Sequence, residues 1–246
     1  MAIQTPTRTG FKRWQDGINK AVSDVRWDSL DCEIRMTVSE YNHHLSGTAG
    51  YIPLDWQFIK AMVWVETGAN HPQWNLRPMQ IGVEGDPGLT SLLSGNEGGD
   101  LILPPVWKGR LTTTLVRTTP AYNICAGIGY LLMRMAKFEY RSVPSADSQI
   151  YEIAVKPGDS LGKIAKVQGT TIDTLKKLNP AVAVLHPGQT LKYRKASVQK
   201  VITSWRHIST TSIAQRYNGG GDPNYAEKLD YALSLVREGK AALCSQ

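Results

Sequence analysis

Residues 151–193 read YEIAVKPGDSLGKIAKVQGTTIDTLKKLNPAVAVLHPGQTLKY, and this stretch forms a folding unit distinct from the rest of the chain. Its first apolar side chains alternate with polar ones, which is typical of a half-buried strand. Asp159 or Ser160 can cap a first short helix, and Thr171 can cap a second. A turn at 186–189 leads into a closing strand. The predicted order is strand, helix, helix, strand.

Helical patterns precede and follow this unit. Asp55 is a typical N-cap, and after it apolar side chains and Glu66 recur at steps of three and four residues until Gly68. Further amphipathic helices are predicted at about 120–138, from about 210, and at about 223–237. The predicted fold class is therefore α+β, a mainly α-helical domain with an inserted βααβ unit. Residues 1–50 form a segment of unknown role. The helical domain has two parts, 51–145 and 196–246, and the inserted unit between them covers 150–195. Polar linkers are predicted at 141–149 and 195–200.

The net charge of +7 and the pI near 9.3 favour a polyanionic partner: nucleic acid, an anionic membrane or an acidic cell-wall polymer. No recognised nucleic-acid-binding motif is present, and no apolar run approaches the roughly 20 residues that span a bilayer. We therefore expect neither nucleic-acid binding nor membrane insertion. Residues 1–14 are polar with no apolar stretch after them, so we expect no secretory signal, synthesis in the cytoplasm, and delivery by another route.

The three cysteines are widely spaced, with neither zinc-site spacing nor the density of a disulfide framework. Cys125 lies in an apolar helical stretch, which favours the role of a small buried hydrophobic side chain. A bridge between Cys32 and Cys244 would tie the two ends of the chain together, and the sequence leaves it open. We expect no metal site and no cofactor.

Residues 151–193 resemble a LysM domain from end to end. The resemblance lies in YEIAVKPGDSLGKIA (151–165), LKKLNP (175–180) and LHPGQTL (185–191), in that order. LysM domains bind chains that contain N-acetylglucosamine in a groove between two loops, and small residues there let the sugar approach the backbone. A spacer without sugar affinity is the alternative. The resemblance implies glycan binding by Gly158, Asp159, Ser160, Leu161, Asn179, Pro180, Ala181 and Val182.

Glu66 is the candidate general acid. It lies on the apolar face of its predicted helix, in the last turn before Gly68. Burial and the negative end of the helix dipole both disfavour the ionised carboxylate, so both raise its pKa. A proton donor near neutral pH needs such a raised pKa. The helix pattern alone leaves open a structural glutamate paired with Arg77.

Four short motifs follow in one order: ETGAN (66–70), RPMQIG (77–82), NICAGIGYL (123–131) and YNGG (217–220). Together they resemble the soluble lytic transglycosylase and goose-type lysozyme superfamily, over residues 55–140 and 200–237. The resemblance implies a lysozyme-like catalytic domain that cleaves the bond between N-acetylmuramic acid and N-acetylglucosamine. Glu66 would protonate the glycosidic oxygen and then accept the proton of the muramyl 6-hydroxyl, which forms a 1,6-anhydro sugar.

The same resemblance assigns catalysis to Glu66 and Tyr217. Tyr217 would hydrogen-bond near Glu66 or the developing cation, and Asn218 would hold the Tyr217 turn. Gln80 and Asn123 would line the sugar subsites. The full set of substrate-binding residues that it implies is Thr67, Met79, Gln80, Asn123 and Asn218.

The sequence departs from the superfamily pattern beside Glu66. Thr67 stands where the family has serine, and residues 75–78 replace the usual Gly-Ala-x-Gly. Pro78 also removes a backbone donor next to the substrate site. These departures concern the sugar contacts more than the identity of the acid.

Three functions remain open at this point. The first is a lytic transglycosylase, as a secreted antibacterial effector of a contact-dependent machine such as type VI secretion. It would act in the periplasm or wall of a target cell, with peptidoglycan, a cognate immunity protein and a secretion component as partners. The second is a lysozyme-type muramidase such as a phage endolysin released through a holin, and the third is a non-catalytic wall-binding protein. The candidates for the water-activating base of a hydrolase are the loop acids Glu84, Asp86, Glu97 and Asp100, and the alternative is that they are solvated loop residues.

Overall fold

The computed structural model describes residues 10–239 and Cys244. It contains two compact units: one holds the described residues up to 137 and from 202 onward, and the other holds residues 138–201. Residues 1–9 of the N-terminal segment lie outside the described part of the chain, whereas residues 10–50 belong to the larger unit.

The larger unit is helical. Its α-helices in the described ranges are α1 (Gly10–Ile18), α2 (Asp31–Leu45), α3 (Trp56–Glu66), α4 (Pro87–Ser94), α5 (Gly99–Ile102), α6 (Thr113–Thr118), α7 (Pro120–Met135), α10 (Thr210–Arg216) and α11 (Tyr225–Glu238). Short 3-10 turns cover Ala21–Ser23, Val25–Asp28 and Pro72–Asn75. The predicted cap of α3 is present, because the Asp55 side chain accepts a hydrogen bond from the Gln57 amide.

The core of this unit lies among α2, α3, α7 and α11. Helix α3 packs against α2 and α11, and α7 packs against α2. Tyr41 in α2 is completely buried, and its hydroxyl donates to the Cys125 carbonyl in α7 at 2.9 Å. Residues 31–45, to which the sequence assigns no role, are therefore part of the core. In the part of the chain that the structure describes, no helix is long and apolar enough to cross a membrane.

The smaller unit has the predicted strand–helix–helix–strand order. Strand β2 (Tyr151–Ala154) pairs antiparallel with β3 (Thr190–Tyr193), and α8 (Leu161–Gln168) and α9 (Ile172–Leu178) lie between them in the chain. The predicted fold class, a mainly helical α+β protein with a βααβ unit, is confirmed.

Capping side chains and a small apolar core explain these elements. Ser160 accepts the Lys163 amide at the start of α8, and Thr171 accepts the Thr174 amide at the start of α9. Gly169 ends α8 with φ of 61°, a left-handed conformation that glycine adopts without steric cost. The buried core consists of Val155, Ile164, Ala165, Leu175, Leu191 and Tyr193.

Two hydrogen-bonded strands stand where the sequence predicts polar linkers. They are β1 (Ala136–Pro144) and β4 (Ala196–Trp205). The linker prediction is therefore wrong for residues 141–144 and 196–200. Most side chains of both strands are exposed or only partly buried. Such strands are held mainly by backbone hydrogen bonds, so they lack the apolar alternation by which a sequence reveals a strand.

A disulfide joins Cys32 at the start of α2 to Cys244, with the two Cα atoms 5.5 Å apart, and Cys125 is a buried free thiol. The bridge that the sequence leaves open is thus present in the structure. It closes a loop with a sequence separation of 212 residues. A crosslink over a loop of this length restricts the unfolded chain and so stabilises the folded one.

We expect Cys32→Ser to lower the free energy of unfolding by about 2–4 kcal/mol relative to the oxidised wild type. Denaturant unfolding followed by circular dichroism measures this difference. A reductant should destabilise the wild type to the same degree and leave Cys32→Ser unchanged. If the reductant lowered the free energy of unfolding of Cys32→Ser by a similar amount, the destabilisation of the wild type by reductant would not be due to loss of the disulfide.

Candidate functional site

Glu66 is the last residue of α3, and Gly68 explains why the helix stops there. Gly68 has φ of 73°, and its amide donates back to the Val63 carbonyl. A Cβ at this position would lie 2.5 Å from the ring of Trp27, so a side chain is excluded by both backbone conformation and space. The N-terminal segment thus contributes Trp27 to the turn that ends the Glu66 helix.

A cavity of about 160 Å³ in the larger unit has Glu66 in its wall. The motifs that resemble the transglycosylase superfamily supply most of its other walls, since the loop 79–81 and the turn 217–218 both border it. Its lining residues are Glu66, Met79, Gln80, Ile81, Asp86, Tyr130, Tyr217 and Asn218.

The Glu66 carboxyl group is partly buried and titrates near neutral pH. Burial, with a smaller contribution from the nearby negative charge of Asp222, raises its pKa to about 7. The Tyr225 hydroxyl donates to Oε1 of Glu66 at 2.7 Å, which opposes this rise because it favours the charged form. At pH 7 a large fraction of Glu66 therefore still carries the proton that a general acid must donate.

Two neighbouring groups stabilise the charged form of Asp222. The Lys228 ammonium lies 2.6 Å from its Oδ2, and the Asn224 amide donates to its Oδ1 at 2.9 Å. Burial opposes these two contacts, yet the pKa of Asp222 is lowered. Its negative charge disfavours ionisation of Glu66.

Tyr217 lines the same cavity as Glu66, but its hydroxyl bonds elsewhere. The hydroxyl donates to the Met79 carbonyl at 2.8 Å, and the ring packs edge-on against Tyr130 with centroids 5.7 Å apart. A hydrogen bond between Tyr217 and Glu66 is therefore absent, and Tyr225 makes it instead. Tyr217 joins the 217–220 turn to the loop that carries Met79.

Asn123, which was predicted to line sugar subsites, is not among the residues that line the cavity. It is completely buried, and its amide group is fully used by backbone. Oδ1 accepts the Met79 amide at 2.9 Å, and Nδ2 donates to the Ile81 carbonyl at 3.0 Å and the Val116 carbonyl at 2.9 Å. Asn123 therefore fixes the loop that forms the cavity wall and cannot reach a ligand.

The loop beside Glu66 is held by several such internal contacts. Thr67 Oγ1 lies within hydrogen-bonding distance of the Val63 and Pro78 carbonyls, at 3.2 and 3.0 Å. Met79 is buried and lies where Gly127 lacks a side chain, since a Cβ there would come within 2.5 Å of the Met79 sulfur. Thr67 thus supports the cavity wall without lining the cavity, and Met79 is a buried part of that wall.

Gln80 and Asn218 face the cavity itself. Gln80 has φ of 54°, an unusual conformation for a residue with a side chain, and its Nε2 donates to the Arg77 carbonyl at 3.0 Å. This contact leaves Gln80 Oε1 available to a ligand donor. Asn218 Oδ1 accepts the Asp222 amide at 2.9 Å, so Asn218 also connects the turn to the start of the last helix.

Only one of the four loop acids proposed as a water-activating base borders the cavity, and it is Asp86. Both of its oxygens are occupied by backbone, since Oδ2 accepts the Gly82 amide at 3.0 Å and Oδ1 the Gly88 amide at 2.8 Å. Asp86 is the N-cap of α4. Glu84, Glu97 and Asp100 do not line this cavity.

Tyr225 is the site residue that sequence reasoning misses. It is the first residue of α11 and almost completely buried. In the sequence it fits the apolar face of an amphipathic helix, and its hydroxyl partner is 159 residues away. Burial and the charge of Glu66 raise the pKa of Tyr225 well above its ordinary value, so its hydroxyl remains a donor.

In the smaller unit, the two loops predicted to bind glycan have defined conformations. Gly158 is exposed with φ of 78°, the Asp159 carboxylate accepts the Lys156 amide at 2.8 Å, and Ser160 caps α8. A family model for the LysM domain matches residues 153–193. Residues 153–193 form a LysM domain.

The match covers 41 of the 246 residues. No curated protein and no solved structure matches the chain. The match therefore assigns a family to residues 153–193 and not to the larger unit.

Within the LysM domain the predicted glycan contacts divide into two groups. The Asn179 side chain is occupied by backbone: Nδ2 donates to the Leu175 and Lys192 carbonyls at 2.8 and 2.7 Å, and Oδ1 accepts the Lys192 amide at 2.9 Å. Leu161 and Val182 pack against the LysM core. The exposed residues that remain at the loop surfaces are Gly158, Ser160, Pro180 and Ala181.

Among the residues that the structure describes, no group of three or more histidine, cysteine, aspartate or glutamate side chains is placed to hold a metal ion. The polar groups that line the 160 Å³ cavity are the raised-pKa carboxyl group of Glu66, the Asp86 carboxylate, two tyrosines and two amide side chains.

We expect Tyr225→Phe to move the pH profile of activity. The lost hydroxyl favours the charged form of Glu66, so its removal raises the pKa of Glu66 above about 7. The limb on which activity falls with rising pH should move to higher pH, and the maximum rate should fall about 10-fold because Glu66 loses an orienting contact. Tyr217→Phe is the matched control, because its hydroxyl does not touch Glu66 and the limb should stay in place.

Proposed function

We propose that this protein is a peptidoglycan-degrading lytic transglycosylase. Its LysM domain suggests peptidoglycan binding. The cleavage would be that of the β-1,4 bond between N-acetylmuramic acid and N-acetylglucosamine, with formation of a 1,6-anhydro-muramyl end. The observation that carries the proposal is the position of Glu66, whose pKa is raised to about 7 in a cavity bordered by the Tyr217 turn.

A single carboxyl group can perform both proton transfers of this reaction. Protonated Glu66 donates its proton to the glycosidic oxygen as the bond from that oxygen to the muramyl anomeric carbon breaks. The resulting carboxylate accepts the proton of the muramyl 6-hydroxyl, whose oxygen bonds to the anomeric carbon. Glu66 ends protonated again and no water is consumed, so a pKa near the working pH suits both steps.

Tyr225 and Asp222 set the balance between these two steps. Asp222 favours the protonated acid, and the Tyr225 hydroxyl favours the carboxylate that must form next. The substrate's acetamido oxygen can stabilise the cation between the steps. The reaction thus avoids the pair of protein carboxylates that most glycosidases use.

A lysozyme-type muramidase is the second candidate, and the position of Asp86 in the cavity wall favours it. In a hydrolase, a second carboxylate activates water or attacks the sugar. Both Asp86 oxygens already accept backbone amides and Asp86 caps α4, so its contacts are structural, which favours the transglycosylase.

Mass spectrometry of digested sacculi separates the candidates. A transglycosylase produces anhydro-muramyl ends and incorporates no ¹⁸O from labelled water. A muramidase produces reducing muramyl ends that carry the label. Protein that sediments with sacculi but releases no fragments would be a wall-binding protein without this activity, and the proposal would then be wrong.

We further propose that the protein acts in the wall of a target cell as an exported effector, with a cognate immunity protein as partner. The Cys32–Cys244 disulfide supports action outside a reducing cytoplasm, where such bridges persist. Expression with a periplasmic leader should lyse bacteria, whereas cytoplasmic expression should not, and a neighbouring gene product should prevent the lysis. A neighbouring holin gene would favour a phage endolysin instead.

A further inference from the structure

Most of the net positive charge of the chain belongs to the smaller unit. Residues 138–201 contain ten lysine and arginine residues and five aspartate and glutamate residues, a net charge of +5 out of +7 for the whole chain. A surface of this sign attracts anionic ligands and repels cationic ones. N-acetylglucosamine is neutral, so glycan binding alone does not account for it.

Three of these cations lie next to one predicted glycan-binding loop. Lys176 and Lys177 are in the last turn of α9, which ends at Asn179. Lys192 is held against the same loop, because both its amide and its carbonyl are hydrogen-bonded to the Asn179 side chain. All three side chains are exposed. We call Lys176, Lys177 and Lys192 the lysine cluster.

The lysine cluster has no ionic partner within the described part of the chain. Asp173 lies one turn earlier on α9, and Glu152 is opposite Lys192 in the β2–β3 register. Neither carboxylate forms an ion pair with these lysines, although an exposed pair, Arg141–Glu139, occurs in the same unit. The cluster is therefore available to the carboxylates of a ligand.

We propose that the lysine cluster binds carboxylates of the stem peptides on a glycan strand held by the LysM domain. This inference rests on the proposed peptidoglycan binding. In intact peptidoglycan the lactyl carboxyl group of muramic acid is an amide, so the negative charge lies on the peptides. Lys176 lies three residues before Asn179, roughly 4.5 Å along the helix, a position that favours groups projecting from the sugar chain. The domain would therefore prefer peptide-bearing strands to neutral polymers of N-acetylglucosamine.

The test uses the full chain with Glu66→Gln, so that no strand is cleaved during measurement. Kd is measured for peptide-bearing glycan strands, for strands whose peptides an amidase has removed, and for chitohexaose. The variant is Lys176→Gln/Lys177→Gln. The control, Lys166→Gln/Lys195→Gln, removes the same charge from exposed positions of the same unit.

We expect the Lys176→Gln/Lys177→Gln variant to bind peptide-bearing strands about 3- to 10-fold more weakly at low salt. Adding Lys192→Gln should weaken this binding further, and high salt should remove the difference. Binding of chitohexaose should not change, and the control variant should bind all ligands within about 2-fold of the parent.

Four results would overturn the inference. An equal loss on chitohexaose would show that the lysines do not recognise carboxylates. An equal loss on strands without peptides would assign the recognition to the lactyl group. If the parent bound none of the three ligands, the proposed peptidoglycan binding itself would be wrong. If the variant bound each ligand as tightly as the parent does, only the role of the lysine cluster would be wrong.

Discussion

Glu66→Gln should reduce the release of soluble fragments from sacculi by about 10³-fold. Glutamine has nearly the shape of glutamate and can still accept the Tyr225 hydroxyl, but it has no proton to give to the glycosidic oxygen. Binding to sacculi should be unchanged, since the LysM domain is untouched. Glu84→Gln is the control, because this exposed glutamate does not line the cavity and its replacement should leave the rate unchanged.

The same substitution should stabilise the protein at alkaline pH. Below about pH 4.5, the usual pKa of this side chain, folded and unfolded chains both hold the proton. Between that pH and about 7 only the unfolded chain loses it, so the stability of the wild type falls as pH rises. Glu66→Gln should therefore exceed the wild type by about 3 kcal/mol in free energy of unfolding at pH 8, and match it at pH 4.

This pH dependence distinguishes lost chemistry from lost structure. A variant that is inactive, more stable at pH 8 and equal to the wild type at pH 4 has lost only its ionisable group. Chemical denaturation at the two pH values measures the difference. Equal stability at both would mean that the pKa of Glu66 is ordinary, and the case for a general acid would fail.

Local signals explain why the sequence identifies Glu66 and the βααβ unit. The apolar face of α3 lies within one helix, and Gly68 follows the end of that helix by two residues. Each capping side chain of the smaller unit lies within three residues of the amide whose hydrogen bond it accepts. Such features depend on neighbours in the chain. Their positions in the structure agree with the pattern for this reason.

The roles of amide and tyrosine side chains depend on distant residues. Asn123 and Asn179 each carry two donors and one acceptor group, which suit a sugar as well as they suit backbone. The structure pairs both with backbone, and the partners of Asn123 include residues more than 40 positions away. Tyr225 makes the hydrogen bond to Glu66 that was expected of Tyr217, and the hydrogen-bond partners of Tyr217 and Tyr225 are 138 and 159 residues away from them in the chain.

The N-terminal 50 residues show a similar limit. Their helical pattern is weak and polar, and the sequence assigns them no role. In the structure, Trp27 packs edge-on against Trp64 of the Glu66 helix with ring centroids 5.3 Å apart, and Tyr41 is buried against α7. A few large buried side chains, rather than an apolar stripe, make the described part of this segment, residues 10–50, contribute to the core.

Lys60→Met should lower the free energy of unfolding by about 3–5 kcal/mol. Lys60 lies in α3, six residues before Glu66, and only 4% of its surface is exposed. Its ammonium group lies 2.5 Å from Asp28 and 2.8 Å from Asp31, which is completely buried. Removal of the lysine takes away a cationic partner of the desolvated Asp31 carboxylate, and the loss of that buried contact is the source of the expected destabilisation.

Two comparisons isolate burial as the cause. Arg26 and Asp24 form an ion pair at the same 2.5 Å, but 63% of the Arg26 side chain is exposed, so Arg26→Met should change stability little. Replacing Asp31 with leucine in the Lys60→Met background should restore part of the loss, because the buried carboxylate that Lys60 contacted is then gone. Denaturant unfolding of the four proteins measures these differences. If Lys60→Met and Arg26→Met lowered the free energy of unfolding equally, burial of the Lys60 ion pairs would not be the cause of the loss.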